Sequence, residues 1–192
     1  PMTRPLPADA RKILVAGTSG AGKSTLARQL AAVCGYPYTE IDSLFHGPDW
    51  RPRPAFISDV DTFSSGPAWV TEWQYSTVRP LLAERADTLI WLDHPRWLVM
   101  YRVTLRTTRR FLTRAELWNG NREPGLLHAL FHREGIIRWA WCTYERNRQL
   151  IASLADSHPQ LRIIRLTGAG AVRQWLAASA STRAGSGGIL RR

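Results

Sequence analysis

Two cysteines in 192 residues leave no material for a disulfide framework or a thiolate metal cluster. Cys34 and Cys142 stand far apart in apolar helical patterns, with no Cys-x-x-Cys pair, so a reducing, cytoplasmic setting is the plain expectation. Five histidines are present, and only His128 and His132 are spaced four apart, without a third ligand nearby, which argues against zinc. No apolar run approaches the ~18 residues of a membrane span, and no signal peptide is visible, so no membrane partner is expected. Helix-turn-helix and zinc-finger patterns are absent, as are internal repeats. Lysine is nearly missing as well. Lys12 and Lys23 are the only two, and the other 24 of 26 basic residues are arginines.

What remains is a chain of single-domain length, 44% hydrophobic and able to bury a core. Pro1 before Met2 reads as the remnant of a tag. Residues 1–11 are expected to be disordered, 12–178 to form the domain, and the Gly/Ser-rich stretch 179–192 to be a disordered tail.

The most specific segment is Gly17-Thr18-Ser19-Gly20-Ala21-Gly22-Lys23-Ser24-Thr25, which matches the phosphate-binding pattern G-x-x-x-x-G-K-[ST]. An apolar run, Lys12 to Ala16, precedes it as a strand, and Leu26, Leu30 and Val33 follow on one helical face. Glycines let backbone N–H groups turn inward around phosphate oxygens, and the helix N-terminus adds positive charge. Lys23 would reach the β- and γ-phosphates of ATP. The Ser24 hydroxyl would ligate Mg²⁺, and Thr25 would support the α-phosphate side or cap locally.

The net charge of +11 is uneven. From Arg96 to Arg148 eleven arginines face four glutamates, a balance of +7. A phosphate-binding lid, a nucleic-acid surface and a solvated helical face all fit that excess. Weak, non-specific nucleic-acid binding is therefore an open expectation.

Strand-like and helix-like segments alternate along the chain. Strands are expected at 12–16, 38–42, 68–72, 88–93 and 161–166. Helices are expected after the glycine loop and at about 56–63, 76–84, 95–113, 133–155 and 171–178. That alternation argues for an α/β fold with a parallel sheet covered on both faces and a site at the carboxyl ends of the strands. Asp42, Glu72 and Asp93 are expected at such ends.

The P-loop, Ile41-Asp42-x-Leu44, Trp69-Val70, Leu92-Asp93-x-Pro95 with its following arginines, and Gly120-Asn121-Arg122-Glu123 together resemble a known group. It is the adenylate-kinase-like topology modulation proteins (FlaR-like), matched over roughly residues 12–178. The resemblance implies a nucleoside-monophosphate-kinase fold, with five parallel strands in the order 2-3-1-4-5 and an arginine-rich lid at about residues 102–132. Where the group reads W-V-x-D-G-N-Y, this chain has Trp69-Val70-Thr71-Glu72-Trp73-Gln74-Tyr75.

The expected activity is transfer of a phosphoryl group from ATP to an unidentified small-molecule acceptor; the alternative is a nucleic-acid-associated ATP-binding protein. The resemblance to shikimate- and gluconate-kinase-like relatives makes Asp42 a general base or metal contact, with a helix cap as the plainer role. Glu72 stands where a carboxylate acts on Mg²⁺ through water. Arg102 and Arg106 share a helix face and would close over the triphosphate. Arg109, Arg110 and Arg114 read as solvent-facing, and Arg122 with Glu123 as an ion pair or a phosphate contact. Arg146 and Arg148 take the place of returning lid arginines. The resemblance also implies that Thr167 and Gly168, after the fifth strand, pack against the base. Trp50, Trp73 and Trp118 would stack on a planar substrate or pack internally, while Trp91, Trp139 and Trp141 read as core.

Overall fold

The computed structural model of the protein describes residues 4–48, 51–113 and 133–187. Its central strand β1 (Lys12–Gly17) feeds two cores at once, because successive side chains of a strand point to opposite faces. Ile13 and Val15 enter one apolar cluster, and Leu14 and Ala16 enter the other. All four are fully buried. Burying a side chain the size of Leu14 stabilises the fold by about 1.5–3 kcal/mol.

Strands β3 (Trp69–Glu72) and β4 (Thr88–Leu92) flank β1 in parallel, with Val15 opposite both Glu72 and Ile90. Strand β2 (Tyr38–Thr39) lies outside β3, and β5 (Arg162–Leu166) lies outside β4. The order is β2-β3-β1-β4-β5, as the resemblance implies. Helices cover both faces. Leu26 and Leu30 of α1 (Lys23–Cys34) and Trp175 of the last helix close the Ile13/Val15 side. Ile41 of α2 (Ile41–Phe45), Val60 of α3 (Phe56–Ser64) and Leu82 of α4 (Arg79–Arg85) close the Leu14/Ala16 side. Helix α5 (Arg96–Thr113) leads away from β4, and α6 (Arg133–Ser157) returns to bury Ile151 and Leu154 in that second cluster. Helix α7 (Ala169–Gly187) ends the described chain.

Three expectations need correction. The strand expected over 38–42 stops at Thr39, and Asp42 lies in the first turn of α2 rather than at a strand end. The turn starts early because Ser43 N–H bonds Glu40 O, at 3.1 Å, while Ile41 N–H is taken by the Glu72 carboxylate. Within the N-terminal stretch 1–11, residues 4–11 are not loose: Leu6 is fully buried in the Trp175 cluster, and its N–H donates to Ser179 Oγ at 2.9 Å. The last helix does not end at Ala178 but runs to Gly187, with Ser179 wholly buried and Arg183 donating to Ala10 O at 2.7 Å. Two segments of weak individual pattern hold each other in place.

Among the described residues no helix is long and apolar enough to cross a membrane. Of the expected lid, residues 102–113 belong to α5, and 114–132 lie outside the described residues.

Candidate functional site

The glycine loop starts where β1 meets β4. A Cβ on Gly17 would stand 3.0 Å from Leu92 O and 3.1 Å from Ala21 Cβ, so only glycine lets the loop fold this close to β4. Gly22 caps α1 at φ 95°, in the left-handed region. Between them Ala21 N–H bonds Thr18 O at 3.1 Å, curling the loop around its own amides. Lys23 is buried at the first position of α1, and its Nζ donates to Thr18 O at 3.2 Å. Ser24 is half-buried and Thr25 exposed on the same turn. Loop amides, an ammonium and a helix N-terminus converge on one spot, and that combination suits a polyphosphate.

A cavity of about 380 Å³ opens beside the loop, between α1 and the start of α7. Ala21, Gln29, His94, Arg102, Val172 and Arg173 line it. Arg102 donates to Ala21 O at 3.3 Å, which ties α5 to the loop. His94 is 2% exposed, and its Nδ1 accepts the Gly168 N–H at 3.0 Å. That bond requires an unprotonated Nδ1, so the imidazole is neutral with its proton on Nε2. Burial first, then the Arg102 charge, pushes its pKa below the ordinary 6.5. Gly168 (φ 85°) thus reaches the cavity wall through its main chain, whereas Thr167 is exposed and lies outside the lining. Sequence reasoning passed over His94, Gln29 and Arg173. The signal for His94 was its place two residues beyond the β4 end, before Pro95.

On the other side of the loop a polar cluster forms between α2 and the segment after β3. Asp42 Oδ1 accepts from Tyr75 OH at 2.6 Å and from Gln74 Nε2 at 2.7 Å. Tyr75 OH also lies 3.2 Å from His46 Nε2. Tyr75 holds φ 59°, a left-handed backbone that costs a β-carbon residue about 1–2 kcal/mol. Its ring is clamped by stacking on Phe45 (centroids 4.1 Å) and by an edge contact with Phe56 (5.3 Å). Burial and the neighbouring Asp42 push its hydroxyl pKa well up, so it donates and does not ionise.

Glu72 is 1% exposed at the end of β3. Oε1 accepts from Tyr38 OH at 2.7 Å and Oε2 from Ile41 N–H at 3.2 Å. The carboxylate thereby braces β2 and α2 against β3.

Asp93 is buried beyond β4 in an arginine clamp. Arg165 Nε donates to Oδ2 at 2.8 Å and Arg148 stands 3.6 Å from the same oxygen, with Tyr144 OH at 3.4 Å from Oδ1. Arg148 thus stands at the edge of this clamp. Trp73 is 5% exposed and lies in the second core cluster, under the Arg79 guanidinium. Trp91 is half-buried under Arg165. The side chains of Arg106, Arg109, Arg110, Trp139, Trp141 and Cys142 lie outside the described residues, as do Arg114, Arg122, Glu123, Trp50, Trp118, His128 and His132 altogether. Among the described residues no group of three His, Cys, Asp or Glu side chains is placed to hold a metal.

No protein-family model matches this chain, and no curated protein matches it. Solved structures do. A shikimate kinase from Acinetobacter baumannii in complex with shikimate is 17% identical, with TM-score 0.53 over 96% of this chain and 100% of that one. A gluconokinase from Sinorhizobium meliloti 1021 is 19% identical, with TM-score 0.46 over 98% and 100%. A sugar kinase from Janibacter sp. HTCC2649 is 20% identical, with TM-score 0.44 over 90% and 93%. The fold is that of the P-loop kinases, a five-stranded parallel sheet with flanking helices.

Proposed function

We propose that the chain is an ATP-dependent phosphotransferase acting on a hydroxyl of a small molecule, and that it falls within the topology modulation branch whose motifs it resembles. The observation that carries the reading is the Asp42 carboxylate. It is held by Gln74 and Tyr75 at the same carboxyl edge of the sheet from which β1 delivers the glycine loop. The likeness in fold to a shikimate kinase supports an acceptor of that size and chemistry.

In this reading the loop amides from Gly17 to Ser24 and the Lys23 ammonium bind the ATP phosphates. Gly168 and the cavity beside it take the base. Arg102 and Arg106 supply charge to the transferring group. Asp42 accepts the proton of the acceptor hydroxyl as its oxygen takes the γ-phosphoryl group and ADP leaves. Gln74 and Tyr75 occupy one carboxylate oxygen of Asp42, which leaves the other for that proton.

Mg²⁺ neutralises phosphate charge when bound. Ser24 fits it, as a half-buried hydroxyl in the first turn of α1. Glu72 would act only through water, since both of its oxygens already accept hydrogen bonds. The described part of the lid is 102–113, and the lid assignment for 102–132 belongs to this proposal.

The test is a mass-spectrometric screen of a metabolite mixture incubated with Mg·ATP and the protein. A metabolite that gains one phosphoryl group with the parent and not with Lys23→Ala supports the reading. Identical spectra for the two overturn it.

A further inference from the structure

Strands β4 and β5 run side by side as far as Leu92 and Leu166, and there the two segments part. From β4 the chain continues through Asp93 and His94 into α5, and from β5 through Thr167 and Gly168 into α7. Two hydrogen bonds still join these continuations. Asp93 N–H bonds Leu166 O at 3.0 Å, and Gly168 N–H bonds His94 Nδ1, also at 3.0 Å. The second is a side-chain bond, so it depends on which residue stands at 94. His94 is itself held: its ring is almost wholly buried, and Tyr144 OH of α6 donates to its carbonyl oxygen at 2.9 Å. Gly168 turns the chain at φ 85°, and its carbonyl accepts the Val172 N–H at 3.3 Å as α7 begins. His94 thus grips the residue on which α7 starts.

That grip sets how the cavity beside the glycine loop is shaped. Leu26 and Gln29 of α1 line one side, Ala169 and Val172 of α7 the other, and Leu92 and His94 complete the lining. A largely apolar slot with a few polar groups suits the flat face of a heterocycle better than a further phosphate. The glycine loop is shaped by other bonds, Ala21 N–H to Thr18 O and Lys23 Nζ to Thr18 O. Neither of these involves the bond between His94 and Gly168.

We propose that His94 is a positioning residue for the nucleobase: in its neutral form it latches the start of α7 at the spacing from α1 that a planar heterocycle fills. The inference rests on the phosphotransferase reading and deepens it. A protonated Nδ1 has no lone pair for the Gly168 N–H, so the latch opens in acid. The charges around the ring are Arg102 of α5 and Arg173 of α7, which line the same cavity, and the neighbouring Asp93. The Asp93 carboxylate already faces Arg165 of β5 and Arg148 of α6, and Lys23 of α1 turns to Thr18 O. Burial and Arg102 keep the imidazole neutral, with its pKa below the ordinary 6.5. Because the nucleobase needs the neutral ring, a bound nucleotide in turn pushes that pKa lower still.

The experiment compares two ligands by calorimetry, ADP and pyrophosphate, each with Mg²⁺. Both carry the phosphates and only ADP carries a base. His94→Leu removes the acceptor, and His94→Asn keeps one that does not titrate. At about pH 7.5, ADP should bind His94→Leu about tenfold more weakly than the parent, as a buried amide left unmet implies. Pyrophosphate should bind both alike, and His94→Asn should recover most of the ADP affinity. From about pH 7.5 to about pH 5, the parent should lose ADP affinity relative to His94→Asn at the same pH, a comparison that cancels the ligand's own titration. The Gly168 amide signal, followed by NMR, should titrate in the parent and stay in place in His94→Asn. If His94→Leu does not fold, the parent and His94→Asn decide the matter by these pH profiles. ADP and pyrophosphate weakened equally by His94→Leu, or an ADP affinity that tracks His94→Asn at every pH, overturns the latch. A parent that binds neither ligand overturns the phosphotransferase reading and the latch with it, whereas the results above touch the latch alone.

Discussion

Asp42 and Tyr75 lie 33 positions apart in the chain, yet the Tyr75 hydroxyl donates to Asp42 Oδ1 at 2.6 Å. Tyr75 adopts a left-handed backbone to make this contact. Tyr75→Phe removes the hydroxyl and keeps the ring between Phe45 and Phe56. We expect its turnover to fall about tenfold, because the carboxylate loses an orienting donor, while ATP affinity stays unchanged. Calorimetry for ATP and steady-state rates for transfer separate the two effects. Equal rates for variant and parent would remove Tyr75 from the account.

His94 predicts an acid limit. Its folded pKa lies below the ordinary 6.5, so on acidification the unfolded chain takes up the proton first. Stability is therefore unaffected above that value and falls as the pH drops through it, levelling once the folded form also protonates. Protonated Nδ1 can no longer accept the Gly168 N–H. His94→Asn keeps an acceptor without titrating. Thermal melts from about pH 7.5 to about pH 5 should show the parent losing more stability than this variant. Parallel curves would show that the histidine does not set the limit.

Leu6 predicts that the N-terminal segment contributes to stability. Its side chain is fully buried beside Trp175, and its N–H is held by Ser179. Leu6→Ala should cost about 2–5 kcal/mol, read as a lower denaturant midpoint with an unchanged slope. A shift within error would mean that residues 4–11 are not held as described.

Nucleic-acid binding should be weak and should collapse with salt. The charge of +11 can release counterions from a duplex, but phosphate contacts carry no sequence information. Anisotropy with two unrelated duplexes at low and physiological salt checks this. Mg·ATP should weaken it further by occupying Arg102. Tight, selective binding at physiological salt would favour the nucleic-acid alternative.

The sheet was readable because β1 and β4 are short apolar runs bounded by turn signals, and the loop because its pattern has a fixed spacing. β2 was misread because Tyr38 to Asp42 is too short to reveal its period, and the Ile41 N–H at the helix start is taken by Glu72, distant in sequence. Leu6 and Ser179 were missed for the same reason. Each segment is unremarkable alone, and their order comes from a contact 173 positions long. His94 carried no motif at all. Its interest lies in what surrounds it, an accepted amide and the lining of a cavity.

The most direct test measures ATP affinity and phosphoryl transfer side by side for Lys23→Ala and Asp42→Asn, using the acceptor found by the screen. Lys23→Ala should lose most ATP binding, with a weak remainder from the loop amides. Asp42→Asn should keep the parent's ATP affinity and lose transfer by about 10²–10⁴-fold, the range a positioned base contributes. Transfer at the parent rate by Asp42→Asn, or undiminished ATP affinity in Lys23→Ala, would contradict the account.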